Sequence, residues 1–251
     1  MNYCLIENVN SYYEKSGSSS QSVILLHGWG QNTEMMAPVA QHLSAFFTVY
    51  NIDFPGFGKS EEPPVAWSPD DYCEWLKKLS DSLKIENPIL IGHSFGGHIA
   101  MRYASRYPVY KMVLTGAAGL KPKRGADYYL KVYGYKASKK LLQLPGMQKH
   151  KEKLSKQFGS EDYQNTTGVM RETFVKVVNS YVNDLLSSIH CSTLLVYGSE
   201  DDATPLWMGE YLEKHLPDAG LAVFENQGHY AYFVQIQRFN AVLDAFFKED
   251  K

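Results

Sequence analysis

The strongest chemical signal in the sequence is Ile91-Gly92-His93-Ser94-Phe95-Gly96-Gly97, a Gly-x-Ser-x-Gly pentapeptide between an apolar, strand-like run and a helix-like one. A serine carried on so sharp a turn needs very small neighbours two residues away on each side, and Gly92 and Gly96 supply that room. A serine hydroxyl is a weak nucleophile at neutral pH. It needs a base to take its proton and a carboxylate to orient the base. Downstream, Ser199-Glu200-Asp201-Asp202-Ala203-Thr204-Pro205 follows the apolar run 194–198. This places several carboxylates at a strand's C-terminal end, where sites form in open parallel sheets. Gly228-His229-Tyr230 follows the run 221–224 by a short loop. Of the eight histidines, His42, His98 and His215 read as helix-surface or core residues, His150 and His190 lie in a segment without strands, and His27 and His93 sit inside other motifs. His229 is the best base, and the chain order Ser, Asp, His suits this kind of site.

An acyl-transfer site also needs donors for the oxyanion. The backbone N–H of Phe95 would sit at the start of the helix after Ser94, where unpaired donors and the helix dipole favour negative charge. Leu26-His27-Gly28-Trp29-Gly30 follows another apolar run, and its two glycines let the chain fold close to the serine turn, with Trp29 giving the second backbone N–H. Asp53-Phe54-Pro55-Gly56-Phe57-Gly58-Lys59-Ser60 is a third loop of this kind. Phosphate cradling is the rival reading. It fits poorly, because neither loop has the Gly-x-x-x-x-Gly-Lys-Ser/Thr spacing or a Gly-x-Gly-x-x-Gly that opens a helix.

Short branched runs alternate with longer amphipathic stretches, the pattern of strands interleaved with helices and hence of a parallel sheet. Strands are expected at 3–6 and 11–14 (an antiparallel start), 23–26, 48–52, 89–91, 111–114, 194–197 and 221–224. Helices are expected around 35–44, 70–83, 97–107, 206–215 and 236–247. Ser16 to Ser20 reads as a hairpin turn. The rhythm breaks once, between Leu114 and Thr193, where helical patterns occur without a convincing strand. Within that segment Tyr133, Ala137, Leu141 and Leu144, and then Met170, Phe174, Val177, Tyr181 and Leu185, recur at helical spacing.

These motifs, in this order and spacing, resemble the α/β-hydrolase superfamily along nearly the whole chain: His-Gly-Trp-Gly, Asp-Phe-Pro-Gly-Phe-Gly-Lys-Ser, Gly-His-Ser-Phe-Gly-Gly, Gly-Ser-Glu-Asp-Asp-Ala-Thr-Pro and Gly-His. The resemblance implies an α/β fold: a mostly parallel, eight-stranded twisted sheet with helices on both faces. It also implies a helical cap inserted after the sixth strand, so residues 1–119 and 191–251 would form the catalytic domain and 120–190 the cap. In the family the acid commonly lies three residues after a strand-ending glycine and four before a proline. That carries over to Asp201, with Asp202 as runner-up. The implied activity is that of a serine hydrolase, carboxylesterase-like, acting on esters of small or medium acyl groups through an acyl-enzyme. A serine at this turn argues against the branches that form an alkyl-enzyme ester on aspartate. Two alternatives stay open: carbon-carbon bond hydrolysis or elimination on a carboxylate-bearing substrate, and a slow, hydrolase-like ligand-binding protein.

Residues 120–190 hold 13 Lys and Arg against 6 Asp and Glu, whereas the remainder holds 12 against 21. The net charge of −2 is therefore a cancellation of +7 and −9. The basic segment could focus an anionic substrate, although solvated helix faces are the plainer reading. Tyr128, Tyr129, Tyr133 and Phe174 of this segment, with Tyr230, are candidates to wall the substrate pocket, beside Tyr135, Phe158 and Tyr181. With 251 residues, 44% hydrophobic and 21% charged, the chain can bury a core without disulfides, and disorder is excluded. The near-neutral charge offers no bulk attraction to nucleic acid or an acidic membrane. Cys4, Cys73 and Cys191 lie far apart with no metal-ligand spacing, and no run reaches the ~18 apolar residues of a membrane span. With no basic-then-apolar leader either, the expectation is a cytoplasmic enzyme of a small-molecule ester, with no metal, cofactor, nucleic-acid or membrane partner.

Overall fold

The computed structural model describes residues 2–122 and 161–250. Eight strands form one sheet: β1 (Asn2–Ile6), β2 (Val9–Ser16), β3 (Ser22–Leu26), β4 (Thr48–Ile52), β5 (Ile89–His93), β6 (Lys111–Thr115), β7 (Ser192–Gly198) and β8 (Ala219–Phe224). Their spatial order is β1-β2-β4-β3-β5-β6-β7-β8. β3 to β8 run parallel, and β2 is antiparallel to both its neighbours. The sheet is thus mostly parallel, as expected. Ser16 to Ser20 is not a hairpin turn: β4 lies between β2 and β3, so this stretch links strands that do not pair.

The strands are apolar on both faces because helices cover both. Val23, Leu25, Ile89 and Ile91 belong to one core with Met36, Val39 and Leu43 of α1 (Thr33–Leu43), Tyr232 of α7 (Ala231–Val234), and Phe239 and Leu243 of α8 (Ile236–Phe246). Their alternates Ile24, Leu26 and Leu90 belong to the core on the opposite side, with Trp75 of α2 (Pro69–Ser82), Ile99 of α3 (Phe95–Ala104) and Leu212 of α6 (Leu206–His215). Local signals start these helices. Ser68 and Asp71 form a capping box ahead of α2, and Asn32 accepts from Glu34 N–H to open α1.

Between β6 and β7 the described residues form α4 (Glu161–Asn165), α5 (Gly168–Val178) and a 3-10 turn at Asn183–Ser188, with no strand among them. The apolar repeat from Met170 to Leu185 is not one helix: α5 ends before Asn179, which leaves Tyr181 in a connection and Leu185 in the 3-10 turn. Val182 N–H binds the Gly119 carbonyl at 2.9 Å and ties this return segment to the loop after β6.

In the parallel register Leu26 stands beside Gly92, Gly92 beside Leu114, Thr115 beside Val196, and Gly198 beside Phe224. The loops leaving β3, β5, β6, β7 and β8 therefore emerge together along one edge. Glycines let them touch. A Cβ on Gly96 would stand 2.1 Å from the Leu26 carbonyl oxygen, and one on Gly198 would stand 2.2 Å from that of Gln227. Gly96→Ala is expected to destabilise the protein by about 1–3 kcal/mol in urea unfolding, because the clash is with backbone that cannot rotate away.

Three histidines are fully enclosed, and burial lowers their pKa from 6.5 to about 4 at His27, about 3 at His93 and about 3 at His98. Unfolding releases them to titrate near the ordinary value, so below that pH the unfolded chain binds protons that the folded one does not. Stability then falls with pH by up to about 1.4 kcal/mol per histidine per pH unit. The unfolding free energy at pH 5.5 is expected to be roughly 4 kcal/mol below that at pH 7.5. A flat profile over this range would mean that the rings are solvated.

Candidate active site

The turn between β5 and α3 holds Ser94 at φ 50° and ψ −111°, a conformation that costs an L-residue energy unless its surroundings impose it. The surroundings do. Ser94 N–H donates to the Thr115 carbonyl at 3.1 Å, and the Ser94 carbonyl accepts from Ala118 at 3.0 Å and His98 at 3.1 Å. Beneath the turn, a Cβ on Gly92 would lie 2.6 Å from the backbone of Gly96 and Gly97. Phe95 opens α3, so its N–H has no intrahelical acceptor.

The loop after β3 is set by His27. Its Nδ1 donates to the Gly28 carbonyl at 2.7 Å, and its Nε2 accepts from Phe54 N–H at 3.0 Å. The Gln31 side chain accepts from Gly28 N–H at 3.1 Å, while the Trp29 N–H has no acceptor among the described residues. The Trp29 ring stands edge-on to Phe57, Phe95 and Phe174, with centroids 4.8, 5.4 and 5.1 Å away. The loop after β4 folds around its own acid, Asp53, which accepts from Thr33 N–H at 2.6 Å and Lys59 N–H at 2.8 Å. A Cβ on Gly58 would lie 2.1 Å from that carboxylate. Within the loop, Lys59 N–H is thus spent on Asp53, and the N–H groups of Gly56, Phe57 and Ser60 on the carbonyls of Glu61, Phe54 and Phe57, which gives the loop a structural role in place of anion binding.

After β7, Asp201 is buried and accepts at Oδ1 from Ala203 N–H (2.9 Å) and Thr204 N–H (2.8 Å), and at Oδ2 from His229 Nδ1 at 2.8 Å. Burial alone would raise its pKa. The hydrogen bond and charge of His229 and the Thr204 donors outweigh that and hold it below the usual carboxylate range. Asp202 is exposed and does not reach His229. The loops carrying the pair are laced together: Ser199 N–H binds the Phe224 carbonyl at 3.1 Å, and Glu200 N–H binds that of Gln227 at 2.9 Å. Because Nδ1 donates to Asp201, Nε2 of neutral His229 keeps its lone pair. The His229 ring also lies 4.7 Å from that of His93, whose Nδ1 is bonded to the Thr115 carbonyl.

Ser94 and His229 share the wall of a cavity of about 640 Å³ with Trp29, Phe95, Phe174 and Tyr230. The Ser94 hydroxyl makes no hydrogen bond to His229 here, a contact that commonly tightens only when substrate binds. Of the aromatic candidates, Phe174, Tyr181 and Tyr230 line this cavity. Tyr128, Tyr129, Tyr133, Tyr135 and Phe158 lie outside the described residues. Thr204 was missed: its hydroxyl lies 2.8 Å from Asp201 Oδ2, 3.0 Å from the Gly116 carbonyl and 3.2 Å from His229 Nδ1. The signal was present, since a threonine three residues after an aspartate is placed to bond it locally. Among the described residues no group of three His, Cys, Asp or Glu side chains could hold a metal ion, and no helix is long and apolar enough to cross a membrane.

Residues 21–235 match the family model described as alpha/beta hydrolase fold. A 2-hydroxy-6-oxononadienedioate/2-hydroxy-6-oxononatrienedioate hydrolase of Paraburkholderia phymatum is 29% identical, with 92% of this chain and 88% of that one covered. A meta-cleavage product hydrolase from Pseudomonas fluorescens IP01, in a mutant form complexed with acetates, is similar in structure at a TM-score of 0.75 and 26% identity, over 100% of this chain and 98% of that one. An esterase from Exiguobacterium antarcticum shares the fold at a TM-score of 0.76 and 23% identity, over 98% of each chain. With the match spanning every loop that builds this cavity, the chain belongs to the α/β-hydrolase fold family.

Proposed function

We propose that the protein is a serine hydrolase that cleaves carboxylic esters of small or medium acyl groups through an acyl-enzyme. The observation that carries this reading is the bond of 2.8 Å from half-buried His229 to buried Asp201, with His229 on the wall of the cavity that also holds Ser94. His229 Nε2 takes the Ser94 proton as Oγ attacks the carbonyl carbon, and Asp201 stabilises the imidazolium that results. The N–H groups of Trp29 and Phe95 hold the oxyanion, and losing one such donor typically costs about 3 kcal/mol of barrier. When the intermediate collapses, His229 returns the proton to the leaving alcohol. Water, activated by the same ring, then releases the acid.

Neutral esters suit the described lining, which is largely apolar and includes Asp162 but no lysine or arginine. We assign residues 120–190 the role of a cap insert that shapes specificity. We place the reaction in the cytoplasm, in keeping with three free cysteines. A second reading, hydrolysis of a carbon-carbon bond, is favoured by the names of the Paraburkholderia and Pseudomonas relatives. The same residues would serve it, with a carbanion in place of the alkoxide as leaving group.

Hydrolysis of p-nitrophenyl butyrate is expected to vanish in Ser94→Ala. Asp201→Asn should lower kcat by about 10⁴-fold, as loss of the orienting acid does in such triads, while Asp202→Asn stays within about twofold. The reverse order would assign the acid to Asp202. Thr204→Val should lower kcat about tenfold by removing a donor from Asp201, measured on the same ester. Turnover of a 2-hydroxy-6-oxononadienedioate with kcat/KM well above that for any ester would transfer the assignment to carbon-carbon hydrolysis.

A further inference from the structure

One helical turn beyond Ser94 on α3, His98 lines the same cavity. It is 1% exposed, and its ring is clamped against Gly119, where a Cβ would meet His98 Cδ2 at 2.8 Å. Arg102 Nε donates to His98 Nε2 at 3.2 Å. A guanidinium can only donate, so Nε2 holds the lone pair and the neutral ring carries its proton on Nδ1. Burial, followed by the charge of Arg102, lowers the His98 pKa to about 3, so the ring stays neutral. Nδ1 has no partner among the described residues, and it is not sealed from the cavity that the ring lines.

Arg102 prepares a second donor in the same way. Its Nη2 donates to Ser180 Oγ and, at 3.1 Å, to the Tyr181 carbonyl. Having accepted from the guanidinium, the Ser180 hydroxyl keeps its own proton to give, and Ser180 also lines the cavity. Arg102 stands behind this wall, 5% exposed and held by Asp70 at 2.9 Å, and its charge polarises both donors. The cavity thus carries two oriented donors with no acceptor for them among the described residues.

We propose that His98 and Ser180 form a subsite for an acceptor oxygen, so that the preferred acyl group bears a carbonyl or carboxylate oxygen about 5 Å, close to one helical turn, from the reacting carbon. The placement relative to the scissile bond rests on the proposed attack by Ser94; the binding chemistry does not. A site built to donate hydrogen bonds rejects an analogue that lacks the acceptor, because its buried donors are then left unpaired.

Two measurements test this. The first compares kcat/KM for p-nitrophenyl levulinate and p-nitrophenyl valerate, which differ by one ketone oxygen. Wild type is expected to prefer levulinate at least tenfold, and the ratio to fall towards one in His98→Leu and in Ser180→Ala, with partial recovery in His98→Asn. The second measures binding of methyl levulinate, methyl valerate and monomethyl succinate to Ser94→Ala by calorimetry, without turnover. Levulinate or succinate should bind at least tenfold more tightly than valerate; whichever of the two binds better tells whether the acceptor is neutral or charged. Equal binding of all three, or a levulinate preference that survives both substitutions, would overturn the subsite. Failure to turn over either ester with the binding preference intact would instead count against the reaction at Ser94 and support the subsite.

Discussion

The arrangement depends on one constraint, the close approach of backbone to backbone beneath Ser94. The left-handed conformation of this residue persists because Gly96 packs onto the Leu26 and His27 carbonyls, Gly97 onto Ala117, and Ser94 itself bonds to the carbonyl of Thr115. That contact joins the loops after β3, β5 and β6. It sets the first N–H of α3 and the loop bearing Trp29 on the same side of the serine. A larger residue at either glycine would part the sheet edge from the helix, and with it the two amides from the hydroxyl. The conformational cost at Ser94 is of the order of 1–2 kcal/mol, small beside the packing that enforces it.

Two buried polar systems flank this turn, and both follow the same rule: an enclosed charge must be met by several donors or acceptors. On one side Asp201 is satisfied by two backbone amides, the Thr204 hydroxyl and His229, so it can stay ionised in a site that would otherwise protonate it. On the other side Arg102 is satisfied by Asp70, Ser180, the Tyr181 carbonyl and His98. The first system prepares a base. The second leaves two donors aimed at the cavity and ties α3 to the segment returning from the insert, so the substrate pocket and the nucleophile share one helix.

Much of this was legible in the sequence because the signals are local. The eight apolar runs mark eight strands, and each functional loop carries glycine where chain approaches chain. The separation of Asp201 from Asp202 came from a family spacing, and its physical basis is visible only in three dimensions: one carboxylate turns inward over Gly116, and its neighbour faces solvent. Ser16 to Ser20 was misread because hairpin and crossover loops share composition, and only the pairing of β4 with both β2 and β3 tells them apart. The run from Met170 to Leu185 kept helical spacing across a break at Asn179, since apolar residues on a turn can face the same core as those on the helix before it. His98 looked like an ordinary helix residue. Its role depends on Arg102, four residues on, and on Ser180, far away in the chain, a relation that no local pattern records.

Activation of the Ser94 nucleophile by His229 is the step on which the proposed reaction depends. Intact-mass spectrometry after treatment with a fluorophosphonate reads this directly, without any choice of substrate. The expected result is a single phosphonyl adduct that peptide mapping places on Ser94, formed in the wild type and lost in His229→Ala with the fold retained. An unlabelled Ser94 in the folded wild type, or labelling that persists at full rate without His229, would contradict it.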